Sequence, residues 1–388
     1  MGARVAELMF TTGAFRPMGR SMPGVPMLLD GSMRLVEPAC AWLMHNALVR
    51  GRTRSPQTWR AYGEALYDWW QTLEANGWAW DRAGYHEVAA YRDRMLSGPS
   101  DHTGRPYARA TINGRLRTIA QFYRWCAVHG LVASVPFTSQ EVSVARPRPA
   151  PFLAHVDASG GVQAANELVL REVRTLPRPL APDAIRRIMA KLGTRDRLIV
   201  EWAALTGMRR MEIAGLGKAA LPRTAAAEFA SSPVVPVWLT VTKGGKPRQV
   251  YPPLPLVDRT HAYLREERAV VLRAASRRDH SYREPEVVFL TGHGAPMTPR
   301  RVGAMFAAAA RSVRVDATLH ALRHTFAGVM LRQLQRQAQR TPEMNPLLTL
   351  QAILDHADLS TTSVYLRMVA VDLEAIEAAV DGLVGALG

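Results

Sequence analysis

Three prolines at alternate positions, in Arg146-Pro147-Arg148-Pro149-Ala150-Pro151, divide this chain. Each lacks a backbone N–H and holds φ near about −65°, so the stretch can neither continue a helix nor sit inside a sheet. It reads as an extended, basic linker. At 388 residues the chain has room for two or three domains with real cores. The resulting division is an arm at 1–35, a helical domain at 36–140, a linker at 141–178 and a second domain at 179–388. The arm is assigned as extended, because its Gly, Pro and Met are scattered without a sustained period.

From 36 to 140 apolar residues recur at helical steps. Trp59, Tyr62, Leu66, Trp69 and Trp70 follow a start at Ser55-Pro56. A second helix is read at 88–96. A third runs through Ile112, Leu116, Ile119, Phe122 and Tyr123 to Gly130. Arg109, Arg115, Arg117 and Arg124 lie off that apolar stripe. A solvated face is the plain reading of such charges. In a strongly basic chain they are assigned instead to a surface that tracks phosphates. One more helix is read at 163–174, after Gly160-Gly161.

The second domain opens with helices around Ile185–Leu192 and Leu198–Leu205. Val235, Val237, Leu239 and Val241 then alternate as a strand does, Lys243-Gly244-Gly245-Lys246 forms a hairpin turn, and 248–251 returns. Helices are expected at 257–275, 299–313, 319–335, 347–355 and 360–368, and 371–387 carries one apolar helical face. The fold class is mainly α: an N-terminal helical domain, then an α-rich domain with a small antiparallel β-sheet.

The 49 Lys+Arg against 33 Asp+Glu give a net charge of +16, which favours a polyanionic partner such as nucleic acid. Cys40 and Cys126 make no disulfide framework and no ligand-spaced cluster, and read as reduced packing residues. No apolar run approaches the roughly 18 residues of a membrane span, and no secretory signal is visible. A cytoplasmic protein without membrane partner, cofactor or metal is expected.

The chemistry gathers toward the C-terminal end. His320 and Arg323 stand three apart, which on a helix puts them on one face. His356 stands nine residues before Tyr365. An arginine fork binds two phosphate oxygens, an imidazole donates a hydrogen bond or moves a proton, and a phenol is a potential nucleophile. Upstream, Thr206-Gly207-Met208-Arg209 contributes another arginine, with Glu212 its buttress, and the hairpin contributes Lys243, with Lys246 a rival and Arg248 beside it. His320 and His324 mimic an i,i+4 zinc pair, but Ala321 breaks the metalloprotease pattern.

Taken together, these motifs resemble the tyrosine recombinase (phage integrase) family. Its pattern is an arginine after Thr-Gly, a hairpin lysine, His-x-x-Arg, Leu-Gly-His, and a tyrosine nine residues beyond. The resemblance covers about 180–368, and more weakly 50–140, which looks like the family's core-binding (SAM-like) domain. It departs at Asp355, where the family usually has glycine, and at the Gln- and Arg-rich 332–346, which looks like an extended loop.

The resemblance implies a site-specific recombinase whose two domains clamp duplex DNA. Arg209 and Arg323 would hold the scissile phosphate, with His320 and His356 assisting. Lys243 would protonate the departing 5′-oxygen, and Tyr365 would attack phosphorus to give a 3′-phosphotyrosyl enzyme. Lys246 and Arg248 would contact DNA. Exchange of one phosphoester for another needs neither ATP nor metal. The resemblance also implies a homo-tetramer joined by exchange of the C-terminal helix, acting in integration, excision or resolution of a mobile element. The alternatives are a type IB topoisomerase-like enzyme, which relaxes supercoils without a specific site, and a non-catalytic DNA-binding regulator on the same scaffold.

Overall fold

The computed structural model describes residues 6–49, 55–100, 104–143, 162–172, 178–223, 234–242, 245–341 and 343–355. The chain falls into two compact units, 1–174 and 175–388. The proline linker lies outside the described residues.

In the first unit, β1 (Glu7–Phe10) pairs antiparallel with β2 (Pro26–Leu29). Helices α1 (Glu37–Met44), α2 (Pro56–Asn76), α3 (Tyr85–Ser97) and α4 (Arg109–Val128) follow. Residues read as an extended arm are thus tied to the helices. Leu28 and Val25 are fully buried, and Glu74 of α2 accepts from the backbone N–H groups of Ala6 at 2.9 Å and Gly31 at 3.1 Å. Four-residue strands are too short for their alternation to stand out against Gly- and Pro-rich surroundings.

The apolar faces of α1, α2 and α4 meet in an aromatic core. Phe122 packs edge-on against Trp42, Trp70 and Tyr123, with ring centroids 5.1–6.0 Å apart. Such pairs contribute about 0.5–1.5 kcal/mol each beyond area burial. Two polar tips inside the core are linked: Trp69 Nε1 donates to the Tyr123 hydroxyl at 3.2 Å, which donates to the Trp80 carbonyl at 2.7 Å.

The expected helix at 163–174 is instead strand β4 (Val162–Asn166), antiparallel to β3 (Ser139–Ser143). Its partner lies across the linker, so local periodicity could not reveal the pairing. Beyond β4, Asn113 of α4 exchanges two 2.8 Å hydrogen bonds with the backbone of Leu170, and Leu168 is buried in the aromatic core.

The second unit carries α5 (Pro182–Met189), α6 (Thr194–Thr206), the short α7 (Arg210–Ala214), the hairpin strands β5 (Val237–Leu239) and β6 (Arg248–Val250), then α8 (Leu254–Arg265), α9 (Glu267–Arg278), α10 (Pro299–Ser312), α11 (Leu319–Ala338) and α12 (Pro346–Leu354). The two strands are antiparallel, with Leu239 opposite Arg248. Val235, Val237 and Leu239 point into the core as their alternation requires, whereas Val241, past the paired residues, is exposed. Trp202 of α6 is fully buried and donates from Nε1 to Thr260 Oγ1 of α8 at 3.0 Å.

Two helical boundaries differ from expectation. The stretch at 257–275 is two helices, broken at Glu266 with φ −103° and ψ −87°. Much of 332–346 is not a loop, because α11 continues to Ala338. Its Gln and Arg residues are good helix formers that need no apolar period on a solvated face. Asn345 then caps α12, its side chain accepting from the Leu347 and Leu348 N–H groups at 3.0 and 3.2 Å. The expected helices at 360–368 and 371–387 lie outside the described residues.

Candidate active site

Helix α6 ends at Gly207, whose φ of +65° is left-handed. A Cβ there would lie 2.6 Å from the Phe326 ring, so both the turn and the close approach of α11 require glycine. This turn delivers Arg209 to the N-terminus of α7. One turn on, Glu212 accepts the Arg209 backbone N–H at 2.7 Å and its Nη1 at 2.9 Å. The carboxylate is thus both a cap for α7 and an anchor for the guanidinium.

Glu212 is fully buried and has a second arginine. Arg248 of β6 donates from Nη2 to Oε2 at 2.7 Å and from Nε to Oε1 at 3.2 Å. Burial pushes the Glu212 carboxyl pKa up. Hydrogen bonds and charge from Arg248 and Arg209 more than reverse this, leaving it below the usual range.

Arg323 comes from the second turn of α11 and is buried. Its Nη1 donates to the Gly207 carbonyl at 2.5 Å and its Nη2 to the Leu354 carbonyl at 2.6 Å. Arg248 Nη1 donates to the Ile353 carbonyl at 2.9 Å, and Arg209 Nη2 to that of Asp355 at 3.3 Å. Three guanidiniums from three separate elements therefore take three consecutive carbonyls at the end of α12. Those are groups a helix leaves unpaired, at the negative end of its dipole. The chain leaves this collar through Asp355 in the left-handed conformation, φ 51° and ψ 53°. A position that favours glycine here holds aspartate, one of the few other residues to tolerate it.

His320 sits one turn before Arg323 on the exposed side of α11, its ring 4.3 Å from that of His324. Desolvation, then the positive charges of Arg323, Arg209 and Arg210, lower the His320 pKa. Burial, with His320 and Arg323, pushes His324 down to about 4. Both imidazoles are neutral at neutral pH. A neutral His320 beside two arginines can accept as well as donate a hydrogen bond.

The structure brings together Arg209, Glu212, His320 and Arg323. Lys243, His356 and Tyr365 lie outside the described residues. Lys246 is exposed near the hairpin turn, its carbonyl accepting from the Thr242 hydroxyl. Arg248 is not an outward cation but the buried partner of Glu212. The alternation of β6 carried that signal, since Arg248 shares a face with buried Val250 and stands opposite buried Leu239.

Of the four arginines on α4, Arg109, Arg117 and Arg124 are exposed. Arg109 donates to the Arg171 carbonyl at 3.1 Å, Arg117 pairs with Glu172 at 3.4 Å, and Arg124 lies over the Phe137 ring, 5.1 Å from its centroid. Arg115 turns inward instead, ion-paired to buried Asp68 and stacked on Tyr107 at 4.8 Å. Asp68 lies on a different helix, so no local pattern linked the pair. Among the described residues no group of three or more His, Cys, Asp or Glu could hold a metal ion. No described helix is long and apolar enough to cross a membrane.

In this α-rich unit three arginines far apart in sequence converge on one helix end, and comparison with known proteins shows which family the chain belongs to. The phage integrase family model matches residues 178–370, and that of the phage integrase N-terminal SAM-like domain matches 45–130. The chain is 27% identical over 276 residues to tyrosine recombinase XerD of Lacticaseibacillus casei, covering 69% of this chain and 75% of that one. It is 30% identical over 222 residues to tyrosine recombinase XerA of Pyrococcus furiosus, covering 55% and 66%.

Among solved structures, the Tn1549 transposon integrase in complex with transposon right end DNA shares the fold, with TM-score 0.53, 17% identity, and coverage of 90% of this chain and 98% of that one. The XerH recombinase bound to palindromic difH substrate gives TM-score 0.51 at 14% identity, covering 87% and 84%. The chain belongs to the tyrosine recombinase (phage integrase) family and is an enzyme of that family.

Proposed function

We propose that this protein is a site-specific recombinase that cuts and rejoins duplex DNA through a 3′-phosphotyrosyl intermediate. One observation carries the reading: Arg209 and Arg323, 114 positions apart in sequence, meet at the Leu354 and Asp355 carbonyls, immediately before His356 and within reach of Tyr365 by ten residues of chain. In this reading the two guanidiniums hold the non-bridging oxygens of the scissile phosphate and stabilise the charge that builds in the pentavalent transition state.

The Tyr365 oxygen forms a bond to phosphorus and the bond to the 5′-oxygen breaks. The phenol gives up its proton, and Lys243 supplies one to the departing 5′-oxygen. A phenol with pKa near about 10 is a weak nucleophile unless such neighbours assist. Neutral His320 donates to a phosphate oxygen, and His356 assists with the phosphate or the tyrosine proton. A 5′-hydroxyl from a second strand then reverses the step, so the phosphoester is conserved throughout.

The basic charge and the exposed Arg109, Arg117 and Arg124 of α4 supply backbone contacts to duplex DNA in the cytoplasm. Four protomers assemble on two duplexes through their C-terminal helices, and the reaction integrates, excises or resolves a mobile element. The test is a supercoiled plasmid carrying, or lacking, the inverted repeats that flank this gene. A recombinase yields rearranged circles only from plasmids with the repeats. Relaxation of both plasmids alike would point to a topoisomerase.

A further inference from the structure

Arg248 makes contacts that no role in binding DNA requires. It is 6% exposed, holds both oxygens of Glu212, and reaches past it to the Ile353 carbonyl. Glu212 in turn holds Arg209 by backbone and side chain. One guanidinium thereby joins three parts of the unit: the return strand of the hairpin, the start of α7 that carries Arg209, and the end of α12 from which the chain runs toward His356. We propose that Arg248 is a positioning residue, acting through Glu212 on Arg209 and through Ile353 on the exit of α12, so that the phosphate-holding groups stand in place before DNA arrives. This rests on the recombinase reading above.

Charge and geometry favour this role over plain fold stability. Glu212 is one negative charge shared by two guanidiniums, so the cluster keeps a net positive charge in a desolvated setting, as an anion site needs. A fork has the span to serve Glu212 on one side and a carbonyl on the other. An ammonium is a compact single centre and cannot meet both with the same geometry. Small displacements of such groups cost transition-state stabilisation far more than ground-state binding. Glu212 accepts from both Arg209 and Arg248, so these two form the coupled pair.

The test is a double-mutant cycle on the full chain with Arg248→Lys, Arg209→Lys and both together. The probe is a nicked suicide duplex bearing the sequence enriched from a random duplex library by binding to the wild-type protein. Covalent adduct formation is followed in single turnover, and binding and melting temperature are measured alongside. Arg248→Lys is expected to slow adduct formation by roughly 30-fold or more while binding stays within about two-fold, and to cost no more than about three-fold in the Arg209→Lys background.

A full, multiplicative cost in that background would overturn the proposal. So would a loss of cleavage matched by equal losses of binding and melting temperature. Arg248→Met is the second variant. Cleavage no better than in Arg248→Lys is expected, whereas wild-type cleavage in Arg248→Met would also refute the role. If the wild-type protein forms no adduct on the enriched duplex, the recombinase reading fails first, and that outcome is distinct from any pattern among the variants.

Discussion

The Nη2 of Arg323 lies 2.6 Å from the carbonyl oxygen of Leu354, 31 residues further along the chain. This contact, with that of Arg209 to the next carbonyl, fixes where α12 ends relative to both arginines. It gives each arginine two tasks: holding the helix end and, in the proposed reaction, holding phosphate.

Lysine should therefore fail at either position. Arg209→Lys loses the paired contacts to Glu212 and the Asp355 carbonyl, and Arg323→Lys cannot reach Gly207 and Leu354 at once. Single-turnover cleavage should fall by about 10²–10³, the usual cost of removing one preorganised donor from a developing negative charge. DNA binding, measured by fluorescence anisotropy, should change far less.

Histidine protonation should make the second unit sensitive to mild acid. Burial, with His320 and Arg323, pushes the folded-state pKa of His324 down to about 4, below the ordinary imidazole value, so the fold favours the neutral ring. No penalty exists above about pH 6.5. It grows as pH falls toward 4, where the unfolded chain binds a proton that the folded chain resists. Wild type should lose stability to urea faster than His324→Gln between pH 6.5 and 4, and the two curves should run parallel above pH 7.

Asp355→Gly should raise stability. Aspartate holds φ 51° at the exit of α12, a conformation glycine adopts without a Cβ clash. The gain is about 0.5–1 kcal/mol, less whatever the more flexible glycine adds to the unfolded chain, or roughly 1–3 °C in Tm. The backbone carbonyl that accepts from Arg209 remains, so cleavage should persist. Differential scanning calorimetry checks the first point and adduct formation the second.

What was legible in the sequence follows from how far each signal reaches along the chain. Arg209 with Glu212 and His320 with Arg323 are three-residue spacings on helical turns, and local geometry alone puts each pair side by side. Gly207 was part of a recognisable motif, although its reason, the ring of Phe326 from α11, is a tertiary contact. Arg115 reads as a surface cation because its partner, Asp68, lies 47 positions away, whereas the alternation of Arg248 with Val250 marks a buried face although its carboxylate, Glu212, lies 36 positions away. Burial of a guanidinium depends on a carboxylate that no window around it contains. Likewise β4 looked helical because its hydrogen bonds go to β3 across the proline linker. The collar around α12 has no sequence pattern of its own, since its acceptors are backbone carbonyls.

The central claim is that Tyr365 becomes covalently joined to DNA. The most direct measurement incubates wild type and Tyr365→Phe with a labelled, nicked suicide duplex and resolves the products on a denaturing gel. Wild type should give a protein–DNA adduct whose labelled peptide contains Tyr365, and Tyr365→Phe should bind the duplex equally well yet give none. An adduct that persists in Tyr365→Phe, or that maps to another residue, would contradict the account.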